Sequence, residues 1–280
     1  MDVRYGLLLK KSWNDLKSNL IIFLPLLYSL LFLIALAVIV GLEIGLFFLL
    51  GFALEQNWYF NPFIISYIIF FGIIDLLLLI LIGSSIEGMY VGILNKAVTK
   101  NKALAQDMWG GFKNFTFVLF RVKLIQILLF IVPIFVLASL VLLAFLASKP
   151  LGIGLAIFFG LLGVLYVIIL ALIFSFGFFY LMPILSQTKI NSAVALIKKS
   201  IMFTKENFGL VIIPWAITIG INLIIKIISE FISWPARIFP ILVWVMIPFF
   251  IIGFIISIIV NAWLQLFLFN CYFNNKIKKI

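Results

Sequence analysis

Histidine is absent from all 280 residues, cysteine occurs once, at Cys271, and only 10% of the chain is charged. Each shortage closes off a class of function. Without histidine there is no imidazole to act as general acid or base, to ligate a metal or to complete a triad. One cysteine forms neither an intrachain disulfide nor a Cys-x-x-Cys site, and it leaves the redox compartment unread. The charge deficit is the most telling, because ordinary soluble domains carry roughly 25% charged residues. Apolar residues take that place, at 66% of the chain. A larger water-soluble core does not account for this, since several uncharged runs exceed the ~20 residues with which a helix crosses a bilayer core.

Six such segments are present, over about 20–53, 62–86, 115–147, 151–186, 208–233 and 240–271. They lack strand alternation and are far longer than the ~10 residues of a barrel strand, so the expected fold is all-α: a polytopic transmembrane helical bundle. The first run is uncharged from Leu20 to Gly41 and follows an amphipathic stretch. That is too long for the apolar region of a cleaved signal and reads as an ordinary spanning helix. Gly41–Gly45 around Glu43, Pro133 and Pro248 are expected to break the longest segments. Asn61-Pro62 reads as a helix start, and Lys149-Pro150-Leu151-Gly152 as a tight turn. Trp234-Pro235 and Phe239-Pro240 bracket a further turn, so the spans pair as three hairpins. Trp13, Trp58, Trp109 and Trp234 fall near span ends, as an interfacial belt requires.

Lysine and arginine outnumber aspartate and glutamate by 20 to 9. In a soluble protein that surplus suggests nucleic acid; in a membrane chain it collects in cytoplasmic loops. Seventeen of the twenty basic residues lie before the first span, after the last, or in the 87–123 and 186–207 regions, while Lys149, Lys226 and Arg237 lie on the hairpin side. Both chain ends are therefore expected in the cytoplasm of a cell-membrane protein, with anionic lipid headgroups rather than nucleic acid as partners.

One basic phrase is written twice. KKSWNDLKSN begins at Lys10 and KKSIMFTKEN at Lys198, five of ten positions agree, and both run into an apolar span. Leu9, Trp13, Leu16 and Leu20 recur at helical spacing beside Lys10, Lys11 and Lys17. Val194, Ile197, Ile201 and Phe208 do so beside Lys198, Lys199 and Lys205. Each stretch reads as a helix lying in the membrane interface, lysines toward anionic headgroups. Asn19 and Asn207 are then expected to N-cap the spans that follow. A weaker third copy runs from Asn101 through Leu104 and Met108. The chain thus reads as one transmembrane domain of three degenerate units, about 1–90, 91–185 and 186–280, each an interfacial amphipathic helix followed by a hairpin.

Polar residues inside spans are costly and so mark candidate sites. Asp75, Arg121, Lys123, Gln126, Ser175, Asn261 and Gln265 fall at similar depths near the basic ends of their spans. The functional reading is a cytoplasm-facing polar cavity in which Asp75 pairs with Arg121 or Lys123. Against it stands simple snorkelling of the basic residues, with the amides bonding between helices. Lys226 and Glu230, four residues apart with Arg237 nearby, read as a rim ion pair, and Glu43 as lying at or beyond the outer boundary. Gly152–Ala156–Gly160 reads as a close-packing face. Only Asp75 lies plainly within a span, one short of the two carboxylates that aspartyl chemistry shares a proton between. No P-loop, dinucleotide fingerprint or paired acidic motif for Mg²⁺ is present, so no cofactor and no catalytic residue is expected.

Around KKSWNDLKSN with LIIFLPLLYSLL, and the block NSAVALIKKSIMFTKENFGLVIIP, the chain resembles a broad group of archaeal and bacterial multi-pass proteins. These are similar to the membrane domain attached to some glycerophosphodiester phosphodiesterases. The resemblance implies the six-span fold but no activity, because phosphodiesterase catalysis belongs to a separate soluble domain. The expected function is that of a non-enzymatic structural, accessory or lipid-interacting component; the alternative is a transporter or channel using the cavity around Asp75.

Overall fold

The computed structural model describes residues 4–53, 62–188, 190–238 and 243–277. Among them every regular element is helical: α1 (Tyr5–Ser18), a 3₁₀ turn (Leu20–Phe23), α2 (Leu24–Ala53), α3 (Pro62–Lys100), α4 (Ala105–Ala147), α5 (Lys149–Gly177), α6 (Leu181–Gln187), α7 (Ala193–Glu206), α8 (Phe208–Ile238) and α9 (Val243–Ile277). Six of these helices, α2 to α5, α8 and α9, are long and apolar enough to cross a membrane. The protein is an all-α, multi-pass membrane bundle. Asn61, Trp58, the Phe239-Pro240 turn and the side chain of Arg237 lie outside the described residues.

The expected helix breaks do not occur. α2 runs straight through Gly41–Gly45, α4 through Pro133 and α9 through Pro248, and α8 continues past Pro235 to Ile238. Apolar helices this long have no competing solvent bonds in lipid, so a lost backbone bond at proline does not end them. The turn at Lys149 is likewise shifted. Ser148 alone separates α4 from α5, extended at φ −162°, ψ 142°, and its hydroxyl caps α5 by accepting from the Leu151 N–H at 3.3 Å with Pro150 in the first turn. The real interruption comes where span four was expected to continue: α5 stops at Gly177, and α6 resumes at Leu181.

Three hairpins, α2–α3, α4–α5 and α8–α9, rise from one packed base. α3 has 39 residues and α4 has 43, so at 1.5 Å per residue both exceed the ~40–45 Å of a whole bilayer. Their surplus length forms the centre of the base. Buried residues of α3 concentrate between Ile80 and Val98, and those of α4 between Met108 and Val122. Here Gly88, Gly92 and Gly111 let the backbones touch. A Cβ on Gly92 would sit 2.3 Å from the Asp107 carbonyl, and one on Gly111 would sit 2.3 Å from that of Gly88. Tyr180, Leu185, Leu196, Phe267 and Phe269 complete the same core. Outside the base, only 6–17% of each span's most apolar stretch is buried. The three hairpins therefore face their surroundings more than each other.

The repeated phrase builds two separate helices that dock on the base in the same manner. α1 lies against the end of α9, where the Asn270 amide donates to Ser12 Oγ at 3.0 Å and to Asp15 Oδ2 at 2.9 Å, and the Trp263 indole donates to the Leu9 carbonyl at 3.0 Å. α7 lies against the end of α5, where Ser200 donates to the Gly177 carbonyl at 2.5 Å and Thr204 to that of Phe176 at 3.1 Å. Ser12 and Ser200, the matching serines, are both fully buried. Between them the third stretch makes no helix of its own. From Ala105 it is the first part of α4, capped by Asp107, whose carboxylate accepts from the Leu104 N–H at 2.9 Å.

Asn19 and Asn207 mark the hinges: their carbonyls accept the first bonds of the next helix, from the Ile22 and Leu210 N–H groups at 3.0 and 2.8 Å, while their side-chain amides bond back to the helix before. The Asn19 amide donates back to the Asp15 carbonyl, and that of Asn207 to Phe203, at 2.9 and 3.0 Å. Asn19 also accepts the Ala103 N–H at 2.8 Å, which fastens the α3–α4 turn to α1. In that turn Asn101 adopts φ 55°, the left-handed region asparagine tolerates.

Candidate functional site

The polar residues expected to share one cavity separate into three places. A cavity of about 370 Å³ opens in the base between α2, α3, α6 and α9, with Glu87, Tyr90, Asn261 and Gln265 as its polar wall. Asn261 and Gln265, four residues apart, present one side of α9 to it. Lys123 enters from α4 to pair with Glu87, Nζ to Oε1 2.8 Å, with roughly a quarter to a third of each side chain exposed. The missing side chain at Gly83 leaves room for that ammonium, since a Cβ there would lie 3.1 Å from Lys123 Nζ. Lys123, Asn261 and Gln265 are therefore brought together. Glu87 and Tyr90 join them although the sequence reading did not single them out.

Asp75 is elsewhere, and the expected pairing with Arg121 or Lys123 does not form. Twelve residues of helix place it ~18 Å along α3 from Glu87. The glycine crossing fixes the register of α3 on α4 so that Lys123 meets Glu87 instead. Asp75 faces α2, beside the carboxyl group of Glu43 and within its electrostatic reach. Its Oδ1 is buried without a hydrogen-bond partner. Glu43 lies within α2, which continues ten residues past it, and the Tyr67 hydroxyl donates to its carbonyl at 3.1 Å. Two carboxyl groups on neighbouring candidate spans thus meet. Arg121 is exposed, and Gln126 is half-buried on α4. Ser175 accepts the Trp215 indole N–H at 2.7 Å, tying α5 to α8.

The six lysines Lys10, Lys11, Lys17, Lys198, Lys199 and Lys205 are all exposed on α1 and α7. Lys17 lies 5.5 Å from the centre of the Trp13 ring. Beneath these helices the Tyr180 hydroxyl bonds to the Leu210 carbonyl at 3.3 Å, and burial pushes its pKa well up. Among the described residues no three His, Cys, Asp or Glu side chains converge to hold a metal ion. Gly152 lies close on Phe145, a Cβ added to Gly160 would meet nothing within 4 Å, and Ala156 and Gly160 line an open apolar groove between α4 and α5.

No family model, no curated protein and no solved structure matches the chain. Its six long apolar helices make the chain an integral membrane protein.

Proposed function

We propose that this protein is a non-enzymatic, lipid-interacting component of the cell membrane, with its basic base and both described chain ends on the cytoplasmic side. One observation carries the reading: hairpins held together at one end leave their spans 83–94% unburied over the most apolar stretch. Such spans present acyl chains with a large apolar surface, and the lysines of α1 and α7 present anionic headgroups with a matching one. The paired docking of α1 on α9 and α7 on α5 supports kinship of the first and last units, while the middle unit has no separate interfacial helix. Kinship with the membrane domain attached to some glycerophosphodiester phosphodiesterases belongs to the same proposal.

The test is retention of lipid. Purified from bilayers of mixed phosphatidylcholine and phosphatidylglycerol, the protein should carry phosphatidylglycerol in excess of the bulk fraction. Changing the six lysines to glutamine should abolish that excess, and an unselective wild type would overturn the reading. A second reading, transport of a small polar molecule, rests on the cavity at Glu87, Asn261 and Gln265. It requires that Asn261→Cys, in a Cys271→Ala background, react with water-soluble thiol reagents from both sides of the membrane.

A further inference from the structure

α8 carries polar side chains in line along one side of its length. Thr218, Asn222, Lys226 and Glu230 recur every fourth residue, ~15, 21, 27 and 33 Å from the start of the helix. With Trp215 and Ser229, the first three fall in one ~80° sector. Asn222, Lys226 and Ser229 are exposed, and the Thr218 hydroxyl is buried with no hydrogen-bond partner. The stripe begins at the base, where Trp215 bonds to Ser175 of α5 and stacks on Phe176 at 4.2 Å.

Farther along, α5 offers this stripe nothing to bond. From Leu151 to Phe174 it carries no charged residue, and its Tyr166 hydroxyl is taken by the Leu129 carbonyl of α4. Val164, Leu165, Ile168, Ile169 and Leu172 are exposed and apolar. Folding the hairpins together would therefore bury the polar groups against hydrocarbon. At the far end of the stripe is a cavity of about 560 Å³ whose lining includes Lys226, Glu230 and Trp234. One wall thus carries a cation, an anion and an indole face. This set matches a zwitterionic headgroup: the ammonium for a phosphate, the carboxylate and the ring for a quaternary amine.

We propose that α8 is a track for the headgroups of zwitterionic phospholipids. They are received between Lys226, Glu230 and Trp234 and passed along Asn222 and Thr218 toward the base, while the acyl chains stay in the bilayer between hairpins. The proposal rests on the lipid-interacting reading. Lipid selectivity at the lysines is measured separately, so the track can fail while that reading stands.

The experiment is transbilayer movement of an acyl-chain-fluorescent phosphatidylcholine in proteoliposomes, read by dithionite quenching. Wild type should exchange the probe at least ten times faster than protein-free vesicles. Asn222→Leu and Lys226→Leu should return the rate to the protein-free level with helicity and size-exclusion profile unchanged. Asn222→Ser, which keeps a hydrogen-bonding side chain, and Lys17→Gln, at the base, should retain it. A wild type no faster than empty vesicles overturns the proposal, as do leucine variants that move lipid normally. A dimer that Asn222→Leu turns into monomer, without lipid movement in either, would assign the stripe to a second copy of the chain and overturn it too.

Discussion

Replacing Gly111 by alanine places a Cβ 2.3 Å from the Gly88 carbonyl oxygen and 2.9 Å from the Gly92 Cα. Ordinary contacts of that atom begin at 3.4 Å, so α3 and α4 must part by about 1 Å. Both obstacles are backbone, which no change of rotamer clears. Overpacking of this kind costs about 1–3 kcal/mol, and a chain of this size loses ~2–4 °C of midpoint per kcal/mol. The adjacent Gly110 is the internal control, for nothing lies within 4 Å of its added Cβ. Alanine there gains roughly 0.5–1 kcal/mol of helix propensity without a clash. Cys271, the sole cysteine and fully buried in the base, serves as the reporter for a thiol-reactive dye during a thermal ramp. Gly111→Ala should lower the midpoint by roughly 2–12 °C, and Gly110→Ala should leave it unchanged or slightly raised. Equal losses at the two positions, or no loss at Gly111, would refute the close crossing as the element that sets the base.

Two further outcomes follow from individual contacts. Asn270→Leu strips Asp15 and Ser12 of their amide donor; at ~1–3 kcal/mol for buried polar groups left unpaired, amide exchange in α1 should quicken roughly 5- to 150-fold, and unchanged exchange would show that α1 is held otherwise. The second concerns alkaline pH. Burial raises the pKa of Tyr180, while an unfolded tyrosine ionises near pH ~10. The stability this tyrosine contributes is therefore whole below about pH 10 and declines above it, because the unfolded chain releases a proton that the folded chain keeps. Tyr180→Phe should flatten the alkaline fall of the midpoint relative to wild type, at the cost near neutral pH of one hydrogen bond, about 1 kcal/mol.

The spans and their number were legible in the sequence because uncharged length is a local property and lipid leaves the backbone no alternative to the helix. The hinge phrase was legible as two short helices, each closing on the asparagine that follows. What the asparagines bond to was not legible, since the Ala103 N–H that Asn19 accepts lies 84 residues away. The site was read less well. Glu87 was not singled out at all, and the contact of Glu43 with Asp75 was not foreseen. Only the register of α3 against α4 and α2 shows which carboxyl meets a lysine and which meets another carboxyl. One signal for that register was present, Gly88 and Gly92 four residues apart, although its partner Gly111 sits beyond a turn. Expected breaks at Pro133 and Pro248 failed because a helix surrounded by lipid has no better place to put its carbonyls.

The clasp between α1 and α9 joins residues more than 250 positions apart, as in the bond from Trp263 to Leu9. During synthesis α1 emerges before α9, with Asp15 and Ser12 lacking the groups that will cover them, and five spans separate the two. An amphipathic helix resting on the membrane surface can wait without aggregating, as a bare apolar segment could not. The two copies of the phrase thus differ in timing. α7 can find α5 as soon as it is made, while α1 is a latch that shuts only once α9 has arrived.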